Sequence, residues 1–187
     1  MVDFGRIQKE LREIGNDKAS GVTVEVVNDN LQRLIGSVPG PKDTPYDGGL
    51  FKVDIQLDEQ YPFAPPKMRF TTRVWHPNVS SASGAICLDI LKDQWSPALT
   101  LKTALLSLQA LLSSPQPDDP QDAVVAKQYL SDFETYWTEA FARDSGDHEA
   151  RLKRICEMGF ARDEADKALA AAGGDENAAL EALLGGG

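Results

Sequence analysis

Apolar residues recur with two different periods along the chain, and these periods outline the secondary structure. At the start an apolar residue returns every three or four positions, which predicts an amphipathic helix with one apolar stripe. The stripe consists of Phe4, Ile7, Leu11 and Ile14. Four later segments alternate or are rich in β-branched residues, which predicts strands. They are 22–27, 31–38, 50–57 and 68–75. No helical pattern separates them, so we expect an antiparallel meander.

The second half of the pattern is irregular and then helical. From His76 to Leu99 no long period is present, and irregular segments of that length are often functional. A helix follows at 101–112, whose inward residues are expected to be Leu105, Leu108, Leu111 and Leu112. Further helices are predicted at 122–131, 132–143, 149–157, 162–172 and 175–184. A helix, a four-stranded meander and then helices give an α+β fold.

The composition changes near residue 145 and divides the chain. All 11 prolines and every Trp and Tyr precede that point, whereas the tail is rich in Ala, Leu and Gly. The polar stretch Asp144-Ser145-Gly146-Asp147 is typical of a hinge. We therefore expect a domain at 1–143, a short hinge at 144–147 and a three-helix domain at 148–187.

Charge and hydropathy restrict the partners and the location. With 19 Lys+Arg and 29 Asp+Glu the net charge is −10, which disfavours binding to nucleic-acid phosphates. No segment reaches the roughly 18 consecutive apolar residues of a membrane span. The first residues have a charged helical pattern in place of an apolar signal sequence. We therefore expect reduced thiols and a cytoplasmic protein, with the nucleus as a second compartment.

Cys87 is the candidate nucleophile of the first domain. A lone cysteine is most often a small buried apolar residue. Cys87, however, follows the small polar stretch 80–85 within the irregular segment, where a thiol could act as a nucleophile. No histidine adjoins it in sequence, although His76 could approach it in space. The two cysteines and two histidines are widely separated, without metal-ligand spacing, so no metal site is expected.

Several short motifs follow one another in a fixed order. They are Tyr61-Pro62-Phe63-Ala64-Pro65-Pro66, His76-Pro77-Asn78, Cys87-Leu88-Asp89-Ile90-Leu91, Gln94-Trp95-Ser96-Pro97-Ala98-Leu99 and Pro117-Asp118-Asp119-Pro120. Together they resemble a ubiquitin-conjugating enzyme over residues 1–143. In the tail, Met158-Gly159-Phe160 and Leu183-Leu184 resemble a ubiquitin-associated (UBA) domain. This combination is similar to the E2-25K type of conjugating enzyme and its plant and fungal relatives.

The resemblance implies that Cys87 accepts ubiquitin as a thioester from an ATP-using activating enzyme and passes it to a lysine. ATP is not expected to bind this chain, and no cofactor is implied. Asp119 matches the residue that orients and desolvates the lysine, although it could instead belong to an acidic loop that favours the next helix. Asn78 could donate a hydrogen bond to the oxyanion or hold the loop. His76 and Pro77 are assigned to structure.

The resemblance also implies three binding surfaces and a biological role. The ligase surface is expected at Phe63, Pro97 and Ala98, and the activating-enzyme surface at Arg6, Lys9 and Arg12. The ubiquitin surface of the tail is expected at Met158, Gly159, Phe160, Leu183 and Leu184. For all three sets, local packing or a solvated helix face is the alternative. We expect a monomer that builds polyubiquitin chains with a ligase; the rival function is a non-catalytic ubiquitin-binding adaptor.

Overall fold

The computed structural model describes residues 3–172 and 176–185. A first helix and four strands lead the chain: α1 (Phe4–Asn16), β1 (Thr23–Val27), β2 (Asn30–Pro39), β3 (Leu50–Gln56) and β4 (Lys67–Phe70). After a 3-10 turn at Asp89–Leu91 come α2 (Leu101–Ser113), α3 (Ala123–Ser131), α4 (Phe133–Glu157), α5 (Arg162–Ala171) and α6 (Glu176–Gly185). The predicted α+β class is confirmed. Within the described residues, none of the helices is both long and apolar enough to span a bilayer.

The sheet is the predicted antiparallel meander, with the order β1-β2-β3-β4. Asn28 and Asp29 have φ angles of 51° and 56°, the left-handed conformation that a tight two-residue hairpin turn requires. The prediction was wrong for the end of β4, which stops at Phe70 and does not reach residue 75. The Phe70 N–H donates instead to the Gly84 carbonyl at 2.9 Å, so the irregular segment lies against the end of the strand.

Gly84 makes this close approach possible. Its φ is +73°, and a Cβ at this position would lie 1.9 Å from the Phe70 carbonyl oxygen. Any other residue would therefore clash with the strand and would also strain its own backbone. The glycine thus places the segment that leads to Cys87 along the edge of the sheet.

The main core lies between the sheet and the helices that cover it. The buried face of β3, including Val53 and Ile55, shares one cluster with Ile7 and Ile14 of α1. The four inward residues predicted on α2 are all buried: Leu105, Leu108, Leu111 and Leu112. The prediction that Phe4 belongs to the apolar stripe of α1 was wrong, because this first residue of the helix is 47% exposed.

A second, smaller core belongs to the tail. It is formed by residues from the end of α4, from α5 and from α6: Leu152, Ile155, Ala165, Leu169 and Ala179. Cys156 is half-buried against this cluster, as a packing role predicts. The tail therefore has the predicted helices and its own apolar centre.

The hinge predicted at 144–147 is helical in the structure. The backbone of α4 is one helix from Phe133 to Glu157, where two helices separated by a loop were expected. The polar stretch 144–147 contains no proline, and its single glycine costs only about 1 kcal/mol relative to alanine, which does not by itself end a helix. The domain bounds at 143 and 148 remain a prediction.

A buried carboxylate joins α1 to the rest of the first domain. Glu10 is 2% exposed and accepts hydrogen bonds from the Tyr61 hydroxyl, at 2.8 and 2.9 Å, and from the Leu101 N–H at 2.7 Å. The Arg6 guanidinium pairs with the same carboxylate. Burial and the Glu10 carboxylate raise the pKa of Tyr61. One charged group therefore connects α1, the Tyr61 connector and the start of α2.

Replacing Glu10 with alanine should destabilise the protein by about 3 kcal/mol, because it leaves the Tyr61 hydroxyl and the Leu101 N–H without their buried acceptor. Urea unfolding followed by tryptophan fluorescence measures the loss. Glu13→Ala, on the exposed side of the same helix, is the matched control and should change stability by less than about 0.5 kcal/mol. Equal stability of the two variants would contradict the connecting role of Glu10.

Candidate active site

A buried histidine anchors the turn at residues 76–78. The His76 ring is fully buried; its Nε2–H donates to the Leu111 carbonyl at 2.9 Å, and its Nδ1 accepts from the Asn78 N–H at 3.0 Å. Both ring nitrogens are thus used by the neutral imidazole. Burial lowers the pKa of His76 to about 4, although the bond to Leu111 opposes this. This geometry supports the predicted structural assignment of His76.

The Asn78 side chain holds the loop that follows α2. Its Nδ2 donates to the Gln116 and Asp119 carbonyls, at 2.8 and 3.0 Å, and its Oδ1 accepts from the Gln116 N–H at 2.8 Å. Both amide hydrogens are therefore used within the protein. Donation to an oxyanion would require one of these bonds to break, so the geometry favours the loop-holding alternative.

Pro77 and Asp122 connect the same turn to α3. The Pro77 carbonyl accepts from the N–H groups of Gln121 and Asp122, both at 2.9 Å. The Asp122 carboxylate caps α3 and also accepts from the N–H and hydroxyl of Ser81. Burial raises the pKa of Asp122, but these hydrogen bonds outweigh it and lower the pKa. Asp122, not Asp119, is therefore the residue that starts the next helix.

The Cys87 thiol lies where these segments meet. The backbone N–H of Cys87 donates to the Asn78 carbonyl at 2.9 Å, and the residue is half-buried. The sulfur lies 3.5 Å from Asp119 Oδ2 and 3.3 Å from Lys92 Nζ. The fold thus brings together the three predicted residues Cys87, Asn78 and Asp119. It adds Lys92, which the sequence reasoning did not identify.

A second surface is formed by two connectors. Phe63 is 81% exposed, and Pro97 and Ala98 are also exposed. Trp95 ties these connectors together, because its indole N–H donates to the Pro62 carbonyl at 2.8 Å. The Phe63 ring is therefore not held by local packing and is accessible on the surface.

The predicted basic residues of α1 differ in their surroundings. Lys9 and Arg12 are exposed, and the Lys9 Nζ lies 3.9 Å from the Glu13 Oε1. Arg6 is half-buried, and besides pairing with Glu10 it donates to the Pro97 and Leu99 carbonyls, at 3.0 and 2.9 Å. Arg6 thus supports the neighbouring connector, a structural task that its place in the sequence did not reveal.

The residues predicted for ubiquitin binding divide into two groups. Met158 and Leu184 are 61% and 69% exposed, whereas Phe160 and Leu183 are half-buried against the tail core. Gly159, with a φ of +102°, lies in the turn between Met158 and Phe160. The half-buried side chains thus pack against the tail core, and the exposed ones are left accessible.

Comparison with known proteins gives two family matches. Residues 6–143 match the model of the ubiquitin-conjugating enzyme family, and residues 148–183 match that of the UBA/TS-N domain. The chain is 58% identical to ubiquitin-conjugating enzyme E2 27 of Arabidopsis thaliana, with 98% of each chain covered. It is 45% identical to the human ubiquitin-conjugating enzyme E2 K, with 96% of each covered.

Solved structures show the same fold in the first domain. A ubiquitin-conjugating enzyme E2 domain of Toxoplasma gondii is 48% identical, with a TM-score of 0.72, covering 76% of this chain and 96% of that one. A protein of Plasmodium yoelii, described as a ubiquitin-conjugating enzyme, is also 48% identical, with a TM-score of 0.74, covering 77% and 94%.

Acid should destabilise the folded protein through His76. The pKa of His76 is about 4 in the folded chain and about 6.5 in an unfolded one, so the unfolded state binds the proton first. This contribution to stability is complete above pH 6.5 and decreases as the pH falls towards 4, by about 3 kcal/mol. An NMR titration should show the His76 ring neutral until about pH 4. A midpoint near 6.5 would contradict the buried neutral ring.

Proposed function

The chain belongs to the ubiquitin-conjugating enzyme family and carries a UBA domain, and we propose that it accepts ubiquitin on Cys87 and transfers it to a lysine. The observation that carries the proposal is the accessible Cys87 sulfur between Asp119 and Lys92. A non-catalytic adaptor would have no use for a thiol in this setting. The ATP that activates ubiquitin is used by the activating enzyme, and the chain itself needs no cofactor.

Transfer to lysine makes a second chemical demand. A lysine with its ordinary pKa of about 10.4 is almost wholly protonated at neutral pH, so it must lose a proton as it attacks. A carboxylate 3.5 Å from the sulfur is close enough to orient an amine that approaches the thioester carbonyl. Since Asp122 caps α3, Asp119 is free for this task. Asn78 contributes by holding the Asp119 backbone in place.

Family membership implies interactions with ubiquitin, its activating enzyme and ubiquitin ligases. We assign the ligase contact to the surface of Phe63, Pro97 and Ala98, and the activating-enzyme contact to the basic side of α1, chiefly Lys9 and Arg12. The tail binds ubiquitin without a covalent bond and so raises the local concentration of a growing chain. We further propose a monomer of the cytoplasm and nucleus that builds polyubiquitin chains.

Charging with activating enzyme, ATP and ubiquitin tests the central step. The parent should give an adduct that reductant removes on a gel, whereas Cys87→Ser should give a stable oxyester, because an alkoxide is a much poorer leaving group than a thiolate. Cys156→Ser is the matched control and should charge like the parent. A reductant-sensitive adduct on Cys87→Ser would exclude Cys87 as the acceptor.

Replacing Asp119 with alanine should leave charging at least as fast as in the parent but slow discharge to lysine by about tenfold or more, because the carboxylate assists only the attacking amine of the second step. The measurement is a pulse–chase experiment in which preformed thioester meets free lysine. Asp118→Ala, which removes the neighbouring exposed carboxylate, should discharge nearly as fast as the parent. Equal losses of charging and discharge in Asp119→Ala would contradict the assignment.

The two exposed tail residues should carry the non-covalent contact. Met158→Ala combined with Leu184→Ala should weaken ubiquitin binding about tenfold in an NMR titration, since such surfaces depend on a few apolar side chains. Charging of Cys87 should not change, whereas chain extension should slow. Glu181→Ala, an exposed change on α6, is the control. Circular dichroism must show a folded tail, and undiminished binding by that folded variant would place the ubiquitin contact elsewhere.

A further inference from the structure

Lys92 is presented to the Cys87 sulfur by an ordered turn. Its Nζ lies 3.3 Å from Sγ. Its backbone N–H donates to the Asp89 carbonyl at 2.9 Å, and its own carbonyl accepts from the Trp95 N–H at 3.3 Å. The 3-10 turn therefore fixes the main chain on both sides of the lysine. The turn thus fixes the position from which this exposed side chain reaches the sulfur.

The charges beside the sulfur have opposite effects on it. Asp119 accepts a hydrogen bond from the thiol, and its negative charge disfavours a thiolate. The Lys92 ammonium favours the thiolate, because opposite charges attract at this distance. The contact with Cys87 raises the pKa of Lys92, as do the nearby charges of Asp119 and Asp93. Lys92 is therefore a cation at neutral pH.

We propose that the Lys92 ammonium stabilises the Cys87 thiolate and so promotes the acceptance of ubiquitin, a role that rests on the proposed function of Cys87. The thiol first gives its proton to solvent, and the thiolate attacks the carbonyl carbon of the thioester on the activating enzyme. A carbon–sulfur bond forms at Cys87, the bond to the activating enzyme's sulfur breaks, and that sulfur leaves as a thiolate. Lys92 keeps its proton throughout.

Lys92 and Asp119 act differently on the sulfur. The sulfur carries no negative charge while it holds ubiquitin, but it leaves as a thiolate when the lysine has attacked, so Lys92 favours both the accepting thiolate and the departing one. Asp119 disfavours the thiolate and acts on the attacking amine. Variants of these two residues should therefore change thiol reactivity in opposite directions.

Alkylation by iodoacetamide tests the charge effect without any partner protein. The full-length chain is alkylated across about pH 6 to 9, and mass spectrometry follows Cys87 separately from Cys156, which is the internal reference. Lys92→Gln should slow alkylation of Cys87 at neutral pH on the order of fivefold, whereas Lys92→Arg should retain most of the rate. Asp119→Asn should accelerate it. Lys18→Gln, an equal charge change in the exposed turn after α1, should have no effect.

Salt and charging complete the test. Raising the salt from about 0.05 to about 1 M should bring the parent towards the rate of Lys92→Gln, because the ammonium is exposed and screened. Lys92→Gln should also charge more slowly than the parent with activating enzyme, ATP and ubiquitin. Equal alkylation of Cys87 in the parent and Lys92→Gln would overturn the proposal. If the parent failed to charge at Cys87, the proposed function would fall instead, and the alkylation rates would still decide the role of Lys92.

Discussion

Hydrogen bonds from the turn at residues 76–78 hold the segments that carry Cys87 and Asp119 and the start of α3. The buried His76 ring fixes the turn against the end of α2 through the Leu111 carbonyl. From that fixed point the Asn78 side chain holds the loop that contains Asp119, while its backbone carbonyl holds Cys87. Segments far apart in sequence are therefore positioned by one short motif. If this turn were lost, the thiol and the carboxylate would have no common frame.

The first domain is also held together at Glu10, by a charged group where the 76–78 turn uses a neutral one. The Glu10 carboxylate pairs with the Arg6 guanidinium and accepts from two neutral donors, whereas His76 is neutral and carries no charge into the core. The charged connection fixes the helix and the connectors that carry Phe63, Pro97 and Ala98. The neutral connection fixes the turn whose Asn78 carbonyl accepts from the Cys87 N–H. The side chains of Asp119 and Lys92 lie beside the sulfur and belong to neither connection.

Periodicity predicted the helices and strands well because most of them bury one face. It failed where a single contact determines the end of an element or the position of a side chain. The end of β4 depends on a hydrogen bond to Gly84, which no local pattern contains. Glu10 stands at a core-facing interval between Ile7 and Ile14, so its burial could have been inferred from the helical spacing. Lys92 offered no such signal, because a 3-10 turn in an aperiodic segment brings it to the sulfur. The candidate site was found through its motifs, and its hydrogen bonds required the structure.

The partners of the 76–78 turn are almost entirely main-chain atoms: the carbonyls of Leu111, Gln116 and Asp119 and the N–H groups of Gln116, Gln121 and Asp122. A main-chain carbonyl is the same whichever side chain the residue carries, and a main-chain N–H is lost only at proline. The course of the loop after α2 is thus largely independent of its side-chain identities, and residues there can change during evolution without dismantling the frame. The turn itself has no such freedom, since its imidazole and amide are the groups that reach across. Mutational tolerance is therefore distributed unequally: a fixed motif of three residues supports a neighbouring loop that is open to functional divergence.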